Sequence, residues 1–334
     1  MVIAKKWVVV QASKGFPKIS DFKLEEEKLR PIEDGEFLVE AVYLSVDPYM
    51  RAYMSRLPKN STMIGGQIAK IIESKAPEFP TGKYIYSSTG WRTHSIINSK
   101  QLSDDMGLLT IILPDFGNLP LSLGLGILGM PGNSAYFGFL EICKPKQGET
   151  VVVSGAAGAV GSHVVQIAKI KGCTVIGIAG SDEKGKWLTE ELGLDYFINY
   201  KTQNIEEELK KAAPNGVDCY FDNVGGEIST TILNQMKTFG RVSICGSISG
   251  YNATEVQKIS SPYFTIVTKQ LTLQGFIFST WNHQWFEGIH ANLKWIQEEK
   301  LKYRETVTEG FDNMFTAFTD MLQGKNLGKA VVKV

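Results

Sequence analysis

Val151-Val152-Val153-Ser154-Gly155-Ala156-Ala157-Gly158-Ala159-Val160-Gly161 is the stretch that decides the fold. The three valines read as a strand buried on both faces, and residues 161–171 carry Val164, Val165, Ile167 and Ala168 at helical spacing. Only small residues lie between. At Gly158 the bare backbone can approach a diphosphate, where a side chain would collide, and Gly161 lets the helix pack close to the strand. The helix start, from Ala159 and Val160 to Ser162, offers N–H groups and the positive end of the helix dipole to an anion. Ala156 stands where the usual fingerprint has its first glycine, so the pattern carries weight through its strand-before, helix-after setting.

Working outward, the same alternation continues. Strands at 150–154, 174–179, 197–200, 217–222 and 240–245 are separated by helical segments at 161–171, 184–192, 204–212 and 227–236. That rhythm predicts right-handed βαβ crossovers and a doubly wound parallel sheet. Residues 1–120 differ. They hold short β-type runs at 7–11, 36–42, 67–73 and 83–88, separated by Pro31, Asp34-Gly35, Gly65-Gly66 and Pro80-Thr81-Gly82. In the tail, Phe311, Met314, Phe315, Phe318, Met321 and Leu322 fall at helical spacing, and a closing strand at 330–334 needs a partner in the β-rich unit. The expected fold is α/β: an all-β unit plus a Rossmann domain.

The end of the second strand selects the dinucleotide. An NAD site usually places an acid there for the ribose 2′-hydroxyl. This chain has Ile178-Ala179-Gly180-Ser181 instead, which removes repulsion against a 2′-phosphate. Lys184 would add positive charge and Tyr200 a hydroxyl, while Asp182 and Glu183 serve the helix start. The reading is NADPH.

Other features narrow the function. The 334 residues carry 35 basic and 35 acidic side chains, which argues against a general nucleic-acid or anionic-membrane surface. The N-terminus lacks signal-peptide order, and the apolar run at 119–130 is broken by proline and glycines, so a cytoplasmic location is expected. Cys143, Cys173, Cys219 and Cys245 form no CxxC and read as reduced, buried thiols. His94, His163, His283 and His290 are scattered with no cysteine at ligand spacing, so no metal site is expected. A conjugated acceptor polarised by hydroxyl groups then suits the chain better than a simple carbonyl that needs a Lewis acid.

Several segments add to these readings. They are Val46-Asp47-Pro48-Tyr49-Met50-Arg51, Met130-Pro131-Gly132, Ala135-Tyr136-Phe137-Gly138, the turn at 156–162, and Gly180-Ser181-Asp182-Glu183-Lys184. Tyr220-Phe221-Asp222-Asn223-Val224-Gly225-Gly226, Cys245-Gly246-Ser247-Ile248-Ser249-Gly250-Tyr251-Asn252 and Asn326-Leu327-Gly328-Lys329 complete the set. Over essentially its whole length the chain resembles the zinc-independent medium-chain dehydrogenase/reductases. Within them it is similar to the prostaglandin reductases, also called leukotriene 12-hydroxydehydrogenases or alkenal/one oxidoreductases.

The resemblance implies a GroES-like β-barrel catalytic domain at 1–125 and 300–334 around a Rossmann domain at 126–299, and a homodimer joined by edge strands of the cofactor domain. NADPH contacts would come from Gly158, Ala159, Val160, Gly161, Lys184, Tyr200, Asn223, Cys245, Gly246, Ser247, Ile248, Ser249, Gly250, Tyr251, Phe276, Ile277, Phe278 and Asn326. Tyr49 and Tyr251 would line the substrate cleft. Tyr251 is preferred as enolate stabiliser, since a phenol donates to an oxyanion without ionising. Phe276, Ile277, Phe278 and Trp281 read equally as a greasy substrate wall or as core. Thr268 stands where prostaglandin reductases of the first type often carry a tyrosine, which turns the expectation toward simple enals.

The expected activity is NADPH-dependent reduction of the C=C bond of enones, enals and 15-oxo-prostaglandins. A quinone reductase of the same superfamily and a non-catalytic, crystallin-like NADPH-binding protein are the alternatives.

Overall fold

A computed structural model describes residues 2–102, 109–256 and 258–334. The chain divides into two compact units, Met1–Gly126 with Glu305–Val334, and Ile127–Arg304.

The first unit opens with β1 (Ile3–Val9), β2 (Phe22–Lys28), β3 (Glu36–Val46), the short helix α1 (Tyr49–Met54) and β4 (Ser61–Thr62). Then come β5 (Gln67–Ser74), β6 (Tyr84–Ser87), β7 (His94–Asn98) and β8 (Thr110–Ile112). β1 pairs antiparallel with both β2 and β4. β2 escaped the sequence reading because its residues, FKLEEEK, are dominated by charge. It is a strand because Phe22 is buried and Leu24 packs on the core, while Glu27 on its outer face accepts from Lys6 (3.2 Å) and Arg92 (2.5 Å). The core here is aromatic. Trp91 stacks on Phe22 with centroids 6.0 Å apart and meets Phe318 edge-on at 5.6 Å.

The second unit begins with α2 (Met130–Phe137), whose Pro131 lies in the first turn where its missing N–H costs nothing. Strands and helices then alternate: β9 (Thr150–Ser154), α3 (Gly161–Ile170), β10 (Thr174–Ala179), α4 (Asp182–Glu190), β11 (Tyr196–Asn199), α5 (Ile205–Ala212), β12 (Val217–Asp222), α6 (Gly226–Leu233) and β13 (Met236–Ile244). After them come α7 (Tyr263–Thr268), β14 (Thr272–Gly275) and α8 (Trp285–Gln297). The six strands are parallel in the order β11-β10-β9-β12-β13-β14. Strand order reverses between β9 and β12, and that switch point is where doubly wound sheets bind ligands.

Val152, Ile176, Ile178, Ile198, Tyr220 and Val242 pack with Leu209, Ile232 and Leu233 into one core. Each fully buried aliphatic side chain contributes about 1.5–3 kcal/mol. The fifth strand starts at Met236 rather than 240, because α6 already ends at Leu233. Residues 300–304 stay with this unit rather than the first. Leu301 is buried, and Lys302 exchanges two backbone hydrogen bonds with the Gln166 amide (2.7 and 2.9 Å).

The tail holds β15 (Glu305–Glu309), α9 (Met314–Leu322) and β16 (Lys329–Lys333). β16 pairs antiparallel with β3 and parallel with β15, giving a sheet ordered β15-β16-β3-β5-β6-β8, with β7 also on β3. The closing strand therefore returns to the β-rich unit. Among the described residues no helix is long and apolar enough to cross a membrane.

Candidate active site

The turn between β9 and α3 is built by exclusion. A Cβ on Gly161 would lie 2.3 Å from the Gly155 carbonyl oxygen and 2.9 Å from Ala156 Cα, so no side chain fits. Gly155 takes φ +59°, a left-handed conformation natural to glycine. Ser162 N donates to Gly158 O at 3.0 Å and Val164 N to Val160 O at 3.0 Å. The amides ahead of those bonds are the ones a helix start leaves without intrahelical partners. At Gly158 a Cβ would meet only Gly155 O, at 3.3 Å.

At the next strand end, Ala179 closes β10 with no acid. A Cβ on Gly180 would collide with the Tyr200 ring at 2.9 Å, so the hydroxyl end of this half-exposed tyrosine lies against the backbone there. Ser181 caps α4 by accepting from Lys184 N. Asp182 accepts from the Asn199 amide at 2.7 Å, which ties that carboxylate down at the helix start. Burial, followed by the like charge of Lys201, lowers the Lys184 ammonium below its usual range. Two lysines thus share one site, an arrangement that favours a multiply charged anion. Lys201 was missed in the sequence, though it directly follows Tyr200.

Across the switch point, Asp222 at the end of β12 is the hub. It is 3 % exposed. Its Oδ1 accepts from Tyr220 OH (2.7 Å), Ser154 Oγ (3.1 Å) and the amides of Val224 and Gly225 (2.9 Å each). Its Oδ2 accepts from Ser229 Oγ at 2.5 Å. Asn223 binds Ser154 twice, N to Oγ at 3.0 Å and Nδ2 to the carbonyl at 2.7 Å. The end of β12 is therefore fastened to the mouth of the phosphate turn. Neither Asp222 nor Ser154 stood out in the sequence, although Asp222 lies in a segment that carried the resemblance and Ser154 in the stretch that decided the fold.

The loop after β13 is laced onto that hub. Cys245 N and Gly246 N donate to Asp222 O, Ile248 N to Asn223 O and Ser249 N to Val224 O. Tyr251 folds back so that its phenol oxygen accepts from Ser247 N at 3.3 Å, over Gly246. Burial and the nearby Asp222 push the Cys245 thiol up to about 12, so it stays neutral. Beyond β14, Phe276 lies on Gly138 with no room for a Cβ and packs on Trp281, which stacks on Phe137 at 5.5 Å. Those two aromatics are partly buried, whereas Ile277 is 46 % exposed. Thr268 turns its hydroxyl to Phe264 O in its own helix.

Two of the expected residues belong to the first unit. Tyr49 begins α1 after Pro48, packs on the aromatic core and meets Tyr53 edge-on at 6.2 Å. Burial, then the charge of Asp47, raises its phenol well above the usual tyrosine range, so it remains a neutral donor. The Asn326 amide donates to Gly328 O at 2.8 Å and shapes the turn before β16.

No group of three His, Cys, Asp or Glu side chains among the described residues is placed to hold a metal ion. Cys143 and Cys219 point their thiols at backbone carbonyls, and His163 is buried in α3 with its ring pushed down to about 3. These donors do not fit a zinc centre.

A six-stranded doubly wound sheet with a glycine cradle at its switch point, in one chain with a largely antiparallel β unit that takes in the C-terminal strand, defines the medium-chain dehydrogenase/reductase class. Two families match in keeping with this: N-terminal domain of oxidoreductase over residues 5–104, and zinc-binding dehydrogenase over residues 159–295. Prostaglandin reductase 1 of Bos taurus is 51 % identical over 335 residues, covering 100 % of both chains. A 2-alkenal reductase (NADP(+)-dependent) of Nicotiana tabacum is 37 % identical, covering 100 % of this chain and 96 % of its own. The crystal structure of CurA in complex with NADPH from Vibrio vulnificus superposes with a TM-score of 0.91 at 36 % identity over 99 % of each chain. The chain belongs to the prostaglandin reductase 1 family.

Proposed function

We propose that this chain reduces the carbon–carbon double bond of α,β-unsaturated ketones and aldehydes, using NADPH. The observation that carries the reading is the switch-point crevice, where a glycine cradle, the Lys184 site beside a strand end without an acid, and the Tyr251 loop sit along one sheet edge. A relative named for NADP-dependent 2-alkenal reduction and a neighbour solved with NADPH support it. Bound NADPH supplies the hydride that reaches the β-carbon of the acceptor.

The chain's own residues do the rest. The amides from Ala159 to Gly161 face the diphosphate, while Lys184, Lys201 and Tyr200 take the 2′-phosphate. Asn223, the loop from Cys245 to Tyr251, Ile277 and Phe278 hold the remaining cofactor surface, and Asn326 is proposed as a further contact. Tyr251 donates a hydrogen bond from its phenol to the carbonyl oxygen as negative charge develops there, and solvent protonates the α-carbon as the enolate collapses to the saturated product. Tyr49, held neutral, is the second substrate contact. Orientation of donor and acceptor supplies much of the acceleration.

We also propose a cytoplasmic homodimer. Its four thiols are free, as in a reducing compartment. Edge strand β14 and the exposed Tyr263 (75 %), Phe264 (81 %) and Val267 (72 %) just ahead of it support pairing with a second copy.

The test is a panel of a 2-alkenal, an enone, a 15-oxo-prostaglandin and a quinone, each with NADPH and with NADH. Loss of the nicotinamide absorbance with the enal and NADPH is expected. No loss with any conjugated acceptor, or equal use of NADH, contradicts the proposal.

A further inference from the structure

Lys329 is the first residue of β16 and is 3 % exposed. All three protons of its ammonium have acceptors: Val46 O at 2.8 Å, Ala330 O at 2.7 Å and Asp47 Oδ1 at 3.2 Å. Asp47 is buried as well, and its other oxygen accepts from Ser45 Oγ. In register, Lys329 lies opposite Glu305 of β15, and Ala330 opposite Val46 of β3. Glu305 accepts from Ser122 Oγ at 2.7 Å through one oxygen and has no partner for the other. Lys329 and Glu305 from paired strands, and Asp47 from the turn just after β3, thus come together inside the first unit.

Burying an ammonium is costly, and an apolar side chain would fill such a place more cheaply. What a lysine adds is direction. Each of its three bonds fixes an atom, and two of them, Val46 O and Asp47 Oδ1, flank the peptide that leads into Pro48 and Tyr49. Asp47 continues the turn: its carbonyl accepts from Met50 N at 3.2 Å and its amide faces Met50 Sδ. The place where α1 starts, and so the direction in which Tyr49 leaves the sheet, is set from this pair. Because Asp47 is held beside it, the Tyr49 phenol also feels a fixed negative charge.

We propose that Lys329, contributed from the far end of the chain, is a positioning residue for Tyr49: its ammonium clamps the Val46–Asp47–Pro48 turn from which that tyrosine springs. The proposal rests on the reading of Tyr49 as a substrate contact in enone reduction.

Four full-length variants test it: Lys329→Met, Asp47→Asn, the double Asp47→Asn/Lys329→Met, and Tyr49→Phe. Melting temperature, NADPH affinity by fluorescence titration, and KM and kcat for a 2-alkenal are read for each. Lys329→Met alone leaves a buried carboxylate unpaired and melts lowest. The double variant removes both charges and recovers most of the melting temperature. NADPH affinity stays within about twofold of wild type throughout, because the cofactor residues of the second unit are untouched. The KM for the alkenal remains raised about tenfold in the double variant despite its recovered stability, matching Tyr49→Phe.

Return of KM to the wild-type value together with the melting temperature would show the pair to be mere filling and overturn the proposal. Wild-type KM in Tyr49→Phe would instead remove Tyr49 from the site, and the positioning role with it.

Discussion

Asp47 directly follows β3 and Asp222 ends β12; each is nearly sealed from water, and the protein stabilises their charges in opposite ways. Asp47 has a cation, Lys329, reached across 282 positions of sequence. Asp222 has five neutral donors, four of them on Oδ1, and no ion pair reaches it among the described residues. The difference teaches what each carboxylate organises. A cation ties two distant segments together, whereas a ring of hydroxyl and amide donors folds one local turn tightly and fastens it to its neighbour. The first solution suits a sheet closed by its own C-terminus. The second suits a crevice where two strand ends must keep a fixed separation to admit a ligand.

The sharpest way to break this comparison is to remove the hub. Asp222→Ala strands five donors, two of them backbone amides, and should cost roughly 3–5 kcal/mol of unfolding free energy in a denaturant melt. Cofactor binding should be lost with it, since the carboxylate holds the Val224 and Gly225 amides and the Ser154 hydroxyl at the mouth of the phosphate turn. A loss below about 1 kcal/mol would mean that the turn holds itself.

Acid gives a slightly smaller effect. His163 lies under the phosphate turn with a folded value of about 3, against about 6.5 when unfolded. Between those values the unfolded chain binds the extra proton. Stability from this group is complete above about pH 6.5 and is lost as pH falls toward 3, by roughly 3 kcal/mol at pH 4. Replacing His163 by leucine should flatten that slope in pH-dependent melts. An unchanged slope would assign it to other groups.

The smallest change sharpens the cofactor end. Lys184→Ala should weaken NADPH roughly tenfold or more, about 1.4 kcal/mol, and leave NADH unaffected. Lys201→Ala should act in the same direction less strongly. Equal weakening of both nucleotides would place the lysines elsewhere than at the 2′-phosphate.

Much of this was legible in the sequence because backbone needs write themselves into residue type. Gly161 has to be glycine, the Val151–Val153 run has to be a central strand, and the missing acid at Ala179 shows as an absence at a known spacing. That the sheet is parallel and doubly wound follows from strand–helix alternation and crossover handedness.

What stayed hidden depends on partners distant in sequence. β2 looks like a solvated charge run until Trp7 stands in register with its Leu24. Phe276 and Trp281 could face substrate or core until Gly138 and Phe137 are placed beside them. Lys329 looks like a surface lysine near the terminus until β16 inserts beside β3. Asp222 sits in plain view, but nothing local announces that four groups will converge on one of its oxygens.

The most direct measurement of the central claim is where the transferred hydrogen lands. NADPH deuterated at its transferable position should yield, from a 2-alkenal, a saturated aldehyde carrying the label at the β-carbon and an unlabelled aldehyde carbon. Label at the carbonyl carbon of an unsaturated alcohol, or no labelled product at all, would contradict double-bond reduction by this chain.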